Sequence, residues 1–258
     1  MGHSHEGDGD IQEHPVLIEN LKTFKIVQIA AGSNHLMALS EDGQLFAWGC
    51  GEQGQLGRRV LERLKQYGLR PTNVTPRMGR SRVIIKRVVC GAYHTLAISE
   101  DGNLWTMGLN NYGQLGLGDL DERLTAELVN PANWNGSKVV DGAAGEHHSM
   151  VLLSTGQVLT FGRADFGQLG IDTQERAINV PVHVSSLASI SLITSGSNHC
   201  LVANRQGQVW SWGFGEMHQL GHGPTEDEHL PRLIQTPLQG KIAQLAAGGQ
   251  HSIILCRN

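Results

Sequence analysis

One short signature recurs five times along this chain and constrains its fold more than any other feature. The signature is a glycine followed by two residues and a histidine, and successive histidines lie 51 to 59 residues apart. A second glycine lies 14 residues after each of the first four histidines, and a Leu-Gly pair follows seven residues later. Fixed spacing inside a period near 50 indicates a repeat architecture built from one supersecondary unit. The five signatures are Gly32–His35, Gly91–His94, Gly145–His148, Gly196–His199 and Gly248–His251.

Each unit is predicted to contain four short strands. In the unit over 83–131, the apolar and β-branched stretch 83–91 predicts a buried strand, and 94–99 predicts a second strand that ends at an Asp-Gly hairpin turn. A third strand is expected over 104–108 and a fourth near 124–131, after a polar loop. Four short strands with hairpin-length connections are typical of a propeller blade and argue against a helical solenoid. We therefore predict an all-β fold, a β-propeller.

The repeats cover nearly the whole chain, so one domain is expected behind a flexible acidic start over residues 1–13. The recurring glycines are expected where backbones approach closely near the axis, and the leucine of each Leu-Gly pair is expected to pack between units. The chain opens at the end of a third strand and stops at the end of a second, which suggests a fragment or truncated product. The alternative is a five-bladed ring closed by pairing the two ends. The predicted repeats span 14–82, 83–131, 132–184, 185–236 and, in part, 237–258.

Charge is distributed unevenly along the sequence. The net charge is −4, yet residues 58–87 hold ten basic residues and one acidic residue, a local balance of +9. The remainder carries 10 basic and 23 acidic residues. Such a concentrated basic segment in an otherwise acidic protein indicates an anionic partner. A merely solvated basic loop is the alternative interpretation.

Several function classes have no support in the sequence. The four cysteines stand singly without a CxxC pair, so neither a zinc site nor a disulfide framework is predicted, and a reducing nuclear or cytosolic compartment is expected. No apolar run reaches the length of a membrane span, and the polar start is no secretory signal. Phosphate-binding loops, serine-hydrolase elbows and zinc-protease motifs are missing as well. We predict no cofactor and no metal.

The five repeated histidines are interpreted as turn or packing residues, because a residue that recurs in every unit serves the repeat itself. The adjacent His147 and His148, and the pair His3 and His5, could suggest a metal site. A repeat histidine beside an additional one, and a flexible start, explain these pairs more simply.

Three stretches carry a resemblance to a known family: WGCGEQGQLG at 48–57, FGRADFGQLG at 161–170 and GGQH at 248–251. They resemble the repeats of the regulator of chromosome condensation family, and the resemblance covers residues 14–258. It implies a seven-bladed propeller that acts as a chromatin-bound guanine-nucleotide exchange factor for the small GTPase Ran. Ran would lie on one face and the nucleosome on the other, in the nucleus. Such a regulator stabilises the nucleotide-free GTPase and needs no covalent catalysis.

The resemblance also implies site residues on the Gly-x-x-His turns. Asn34, His148 and His251 are the expected Ran contacts. Asn34 stands where the family usually has an aspartate, so a charge is lost while the shape is kept. The family's wedge hairpin would lie just before residue 14, and the stretch present there does not resemble it. Both departures favour the alternative that this chain is a binding module for chromatin or protein partners, with exchange activity lost.

Chromatin contacts are expected on the basic segment. Strand alternation places the loop 77–82, with Arg77, Arg80 and Arg82, at the end of the unit opposite His94. Arg58 and Arg63 lie in a loop that in the family is longer and reaches the histone acidic patch. A propeller enzyme such as a lyase or hydrolase is a third hypothesis, and a weak one, because no carboxylate or histidine cluster departs from the repeat pattern.

Overall fold

The computed structural model describes residues 14–60, 68–223, 225–235 and 240–257. The predicted flexible start over 1–13 and the predicted site residue Arg63 lie outside the described residues.

The fold is built from antiparallel four-stranded sheets, as predicted, with two short hairpins in addition. Sheet 1 contains β1 (Ile26–Ala31), β2 (His35–Ser40), β3 (Leu45–Gly49) and β4 (Thr72–Asn73). A small hairpin follows, with β5 (Arg77–Met78) and β6 (Ser81–Arg82). Sheet 2 contains β7 (Ile85–Cys90), β8 (His94–Ser99), β9 (Leu104–Gly108) and β10 (Arg123–Leu128).

The second half repeats this order. Sheet 3 contains β11 (Val139–Ala144), β12 (His148–Leu153), β13 (Val158–Arg163) and β14 (Ala177–His183). Sheet 4 contains β15 (Ile190–Ser195), β16 (His199–Asn204), β17 (Val209–Gly213) and β18 (Glu228–Leu233). A terminal hairpin has β19 (Lys241–Ala247) and β20 (Ser252–Arg257). Two 3-10 turns, Glu19–Leu21 and Pro131–Trp134, lie in the segments that lead into sheets 1 and 3.

The predicted loop over 77–82 is in fact the small hairpin β5–β6, in which Arg77 pairs with Arg82 and Met78 with Ser81. Gly79 has φ +62 at the tip, a conformation that glycine adopts without steric cost and that allows the tight reversal. We call this element the basic hairpin. Its arginines are thereby held at fixed spacing on a short ribbon instead of on an irregular loop.

The core lies between successive sheets. The second strands of sheets 2, 3 and 4 are buried along their whole length, because a neighbouring sheet covers each of their faces. Between sheets 1 and 2, Met37 and Leu39 pack with Val88 and Met107. Leu56, from the first Leu-Gly pair, is buried in the same cluster, which confirms the predicted packing of that leucine between units. Burial of such aliphatic side chains contributes roughly 1.5–3 kcal/mol each.

The first strand of every unit carries a bulge at the same point, where the register with the second strand shifts. A bulge re-aims the side chain beside it. In sheet 1 it turns Gln28 toward sheet 2, where the amide donates to the Val88 carbonyl at 2.7 Å and accepts from the Val88 N–H at 3.1 Å. In sheet 2 the same position holds Arg87, which forms an ion pair with Asp141 of sheet 3. The bulges thus supply polar links between sheets.

The outer faces at the two ends of this array are uncovered. Ile29 of β1 is 73% exposed, whereas Val88 at the matching position of β7 is 1% exposed. At the other end Ile253 of β20 is 56% exposed, whereas the matching Met150 is fully buried. The two faces do not cover each other, so the described residues form an open array and not the five-bladed ring considered as an alternative.

Candidate functional site

The Gly-x-x-His turns share one construction. In each, the glycine N–H donates to the histidine carbonyl at 2.9–3.0 Å and closes a tight reversal between the first and second strands. A Cβ at Gly91 would overlap the ring of His94 and also approach the Gly145 carbonyl oxygen. Only glycine therefore lets the histidine ring fold back over its own turn.

Backbone hydrogen bonds join these turns from sheet to sheet. The Ala92 N–H donates to the Gly145 carbonyl at 3.0 Å, and the Glu146 N–H donates to the Ser197 carbonyl at 2.9 Å. Equivalent bonds of 3.2 and 3.3 Å begin at Ser33 and Ser197. All five turns therefore lie at one end of the array, which we call the turn face. They line an axial cavity of about 300 Å³.

The repeat histidines link each sheet to the next. His94 Nε2 lies 2.8 Å from Ser149 Oγ in sheet 3, and that hydroxyl donates to the Gln114 carbonyl at 2.7 Å. The Ser149 hydroxyl donates its single proton to the Gln114 carbonyl, so it can only accept a hydrogen bond from the His94 ring. The ring proton is therefore on Nε2. His35 with Thr95, and His199 with Ser252, repeat this relay at 2.9 Å.

Burial sets the charge of these rings. Loss of hydration lowers the pKa of His94 and His148 to about 3, and the pKa of His35 and His199 to about 4. The four rings are therefore neutral at physiological pH. They act as buried hydrogen-bond donors between sheets, in line with the sequence-based interpretation as packing residues.

The predicted Ran-contact residues are separated by this geometry. Asn34 and His251 are exposed on the turn face, where a docked protein can reach them. His148 is fully buried, and its Nε2 lies 2.9 Å from Ser195 Oγ and 3.2 Å from Cys200 Sγ. A ring without exposed surface cannot contact a partner, so we transfer the proposed contact from His148 to its part-exposed neighbour His147.

A ladder of aromatic rings around His147 is the feature that sequence reasoning missed. The His147 ring stacks on Tyr93 with centroids 5.8 Å apart and tilts against Tyr112 at 5.1 Å. The Arg163 guanidinium continues the ladder, 5.1 Å from the Tyr112 ring and 4.9 Å from the Phe166 ring. Cation–π contacts of this kind contribute about 0.5–1 kcal/mol at exposed sites. The available signal was the pair of variable residues in each turn, where Tyr93 and His147 depart from the other repeats.

Partial burial and two charged neighbours together determine the pKa of His147. Partial burial lowers the pKa of its ring, while the nearby carboxylate of Glu146 opposes that shift and Arg163 adds to it. The His147 Nε2 lies 3.8 Å from the Glu146 carboxylate. At neutral pH the ring is therefore predominantly uncharged.

The basic hairpin lies at the end of the array opposite the turn face, as strand alternation predicts. The Arg82 guanidinium donates to the Asp42 carbonyl at 3.3 Å, and Asp42 belongs to the hairpin turn between β2 and β3. The Arg77 side chain donates to the Arg80 carbonyl at 3.3 Å. Within the described part of the chain, no carboxylate lies within ion-pair distance of Arg77 or Arg80. Two arginines of this hairpin thus present charge that the described structure does not neutralise.

Arg58 lies away from this hairpin. It follows β3, whose last residue Gly49 pairs with His35, so the loop after β3 starts on the turn face. Its guanidinium reaches the Arg70 carbonyl at 3.5 Å. The loop that holds Arg58 therefore begins at the end of the array opposite the basic hairpin, and the expected contact of Arg58 with the histone acidic patch stays a prediction separate from the contacts of the hairpin. Strand alternation alone was a sufficient signal for this placement.

The described ranges hold neither a cluster suited to a metal ion nor a helix suited to a membrane. No three histidine, cysteine, aspartate or glutamate side chains of these residues come together in a geometry suited to a metal ion. Among the same residues, no helix has the length and apolar character needed to cross a membrane.

Comparisons with known proteins agree with this architecture. The family described as RCC1-like domain matches residues 1–254. The human protein named Regulator of chromosome condensation is 33% identical over 253 residues, which cover 90% of this chain and 58% of the relative. The Saccharomyces cerevisiae protein named Guanine nucleotide exchange factor SRM1 is 32% identical, with 94% of this chain and 53% of the relative covered.

A solved structure gives the same result. Prp20p from Saccharomyces cerevisiae, described together with its binding properties to Gsp1p and histones, superposes with a TM-score of 0.80 at 30% identity. The match covers 90% of this chain and 56% of Prp20p, so the chain spans about half the length of the relatives that it matches. The repeated turns, the antiparallel sheets and these matches show that the chain belongs to the RCC1-like domain family.

Proposed function

We propose that this chain is a guanine-nucleotide exchange factor for the small GTPase Ran that docks on chromatin. The observation that carries the proposal is the separation of two unlike surfaces on a member of this family. The turn face is built from mostly uncharged turns and aromatic rings, and the opposite end presents Arg77 and Arg80 of the basic hairpin, whose charge the described residues do not neutralise. A protein with these two ends is suited to hold a GTPase and a polyanion at the same time.

In this proposal the turn face binds Ran through Asn34, His147 and His251. Such a regulator works by binding nucleotide-free Ran more tightly than loaded Ran, so that complex formation weakens nucleotide affinity by the same factor. The residues needed are docking residues on a rigid frame, which the inter-sheet histidine relays supply. No residue has to form a covalent bond or transfer a proton.

The basic hairpin serves as the chromatin contact. Arg77, Arg80 and Arg82 project from a short ribbon whose geometry is fixed by backbone pairing. Arginines held in this way pair with DNA phosphates through charge-assisted hydrogen bonds. We place the protein in the nucleus for this reason.

Two measurements test this function. Release of a fluorescent guanine nucleotide from Ran should accelerate in the presence of the purified chain, and His251→Glu should weaken the effect. Arg205→Glu, at the opposite end of sheet 4, is the matched control and should leave the rate unchanged. If nucleotide release is the same with and without the chain, exchange activity is refuted.

A non-catalytic binding module is the second candidate, and Asn34 favours it. The side chain has no charge where the resemblance implies an aspartate. In this case nucleotide-free Ran or nucleosomes would still bind to the chain, while nucleotide release from Ran would not accelerate. Binding and exchange are therefore measured on the same preparation.

A further inference from the structure

Glu146 is the one carboxylate among the ten variable residues of the five Gly-x-x-His turns. These residues are Ser-Asn, Ala-Tyr, Glu-His, Ser-Asn and Gly-Gln in chain order. The Glu146 side chain is 40% exposed and lines the axial cavity on the turn face. Each of the other side chains in the cavity wall is uncharged and small.

The charge of Glu146 has no fixed countercharge in the described structure. One carboxylate oxygen accepts a hydrogen bond from Asn198 Nδ2 at 3.3 Å, and the other lies 3.8 Å from His147 Nε2. His147 is held predominantly neutral by its partial burial. Among the described residues, no lysine or arginine nitrogen comes within ion-pair distance of Glu146, since Arg163 pairs with Asp165 instead.

The lining and the volume of the cavity limit what can enter it. Apart from Glu146, its wall consists of alanine, glycine, serine and cysteine residues at the ends of five first strands, so an occupant meets backbone and small side chains. A volume of about 300 Å³ lies at the lower limit of small-molecule sites. A single side chain fits such a small, open, polar depression better than a drug-sized apolar ligand does.

We propose that the axial cavity receives a lysine or arginine side chain of the protein that docks on the turn face, and that Glu146 pairs with its charge. A lysine carries a slender apolar stem and a cationic tip, which match a small-residue wall with one carboxylate at its rim. The identity of the partner as Ran rests on the proposed function, but the chemistry of the recognised group does not.

The first arm of the test measures affinity for nucleotide-free Ran. Glu146→Gln keeps the size of the side chain and an oxygen that accepts the hydrogen bond from Asn198, but it removes the charge. It should weaken binding about tenfold, whereas Glu146→Lys should weaken binding further. Glu216→Gln and Glu216→Lys are the matched controls, because Glu216 is an exposed glutamate in the loop after β17 on the same face. The controls should bind as the parent does. Equal affinities for the two sets would overturn the inference while leaving exchange activity in place.

The second arm does not require Ran. A carbodiimide couples carboxylates to Nα-acetyl-lysine methylamide through its free side-chain amine, and mass spectrometry locates the adducts. Glu146 should be modified in preference to the more exposed Glu216. Equal or lower modification of Glu146 overturns the inference, even if Ran does not bind and the proposed function fails. Suppression of the adduct by sodium ions, without any effect of Glu146→Gln on Ran affinity, would indicate a free-cation site only and would also overturn it.

Discussion

His94 Nε2 lies 2.8 Å from Ser149 Oγ across the boundary between sheets 2 and 3. Ser149 is the residue directly after the repeat histidine of its own unit, and its hydroxyl donates in turn to the carbonyl of Gln114, in the loop between β9 and β10. One hydroxyl of sheet 3 therefore satisfies two groups of the preceding unit. The same arrangement at three boundaries explains why the histidine recurs in the repeat.

Removal of that hydroxyl should destabilise the fold. Ser149→Ala leaves a buried ring N–H and a buried carbonyl without their partner, which costs about 2–3 kcal/mol of unfolding free energy. Urea denaturation followed by tryptophan fluorescence measures the change. Ser149→Thr is the control, because Thr95 fills the equivalent position in sheet 2 and keeps the hydroxyl. A loss below about 0.5 kcal/mol for Ser149→Ala would show that the relay contributes nothing.

Acid should destabilise the protein through the same histidines. The unfolded chain binds protons on these rings near the ordinary pKa of about 6.5, whereas the folded pKa values are about 3 for His94 and His148 and about 4 for His35 and His199. Stability is therefore full above about pH 6.5 and falls as pH drops toward the folded values. Each histidine adds a slope of about 1.4 kcal/mol per pH unit.

The variant His94→Gln isolates this effect. Its amide reaches Ser149 as a donor but does not titrate, so the slope between about pH 4.5 and pH 6 should decrease by about 1.4 kcal/mol per pH unit relative to the parent. Denaturant titrations at a series of pH values provide the comparison. Identical slopes in the two proteins would mean that His94 is protonated in the folded state.

The turn glycines should not tolerate alanine. In Gly91→Ala the new methyl group overlaps the His94 ring and displaces it from Ser149, so we expect a loss of about 3 kcal/mol or more. Gly136→Ala is the control, because Gly136 has φ +78 and open space around it. It should cost only the backbone strain of about 1–2 kcal/mol. Equal losses at the two positions would refute the steric explanation.

The basic hairpin should determine the salt dependence of DNA binding. Each phosphate neutralised on B-DNA adds about −0.9 to the slope of log K against log salt, so three arginines add about −2.7. Replacement of Arg77, Arg80 and Arg82 by glutamate should remove this part of the slope and most of the affinity for nucleosomes. Thermal unfolding should stay unchanged, because the hairpin is exposed. The proposal fails if the parent and the variant bind nucleosomes with the same affinity and the same dependence of log K on log salt.

Restoration of a charge at position 34 should strengthen exchange. Asn34→Asp adds a carboxylate on the exposed turn face, and we expect nucleotide release from Ran to accelerate about fivefold. This factor corresponds to an activation free energy lower by about 1 kcal/mol. Asn198→Asp is the positional control, since Ser197-Asn198 repeats the Ser33-Asn34 pair. It should not accelerate release as Asn34→Asp does, because the resemblance implies an aspartate at position 34 only and the substitution removes the hydrogen-bond donor to Glu146. Equal rates for all three proteins would exclude a role for this turn.

The sequence was informative wherever the repeat itself carries the structure. The second and third strands of the unit over 83–131 lie at the residues that the pattern predicted, because short apolar runs on either side of an Asp-Gly turn are local signals. The burial of His148 and the exposure of His147 depend on which neighbour covers the start of β12, and spacing does not report this. The aromatic ladder joins residues of sheets 2 and 3 that are far apart in sequence.

The uncovered outer face of the terminal hairpin has a consequence for how the molecule opens. Sheet contacts run along the array in chain order, so an internal sheet is held from two sides and the terminal hairpin from one. In such a quasi-one-dimensional array, stability is close to a sum of unit and nearest-neighbour terms. The amides of β19 and β20 should therefore exchange with solvent deuterium before those of β12, as the array frays from its end inward.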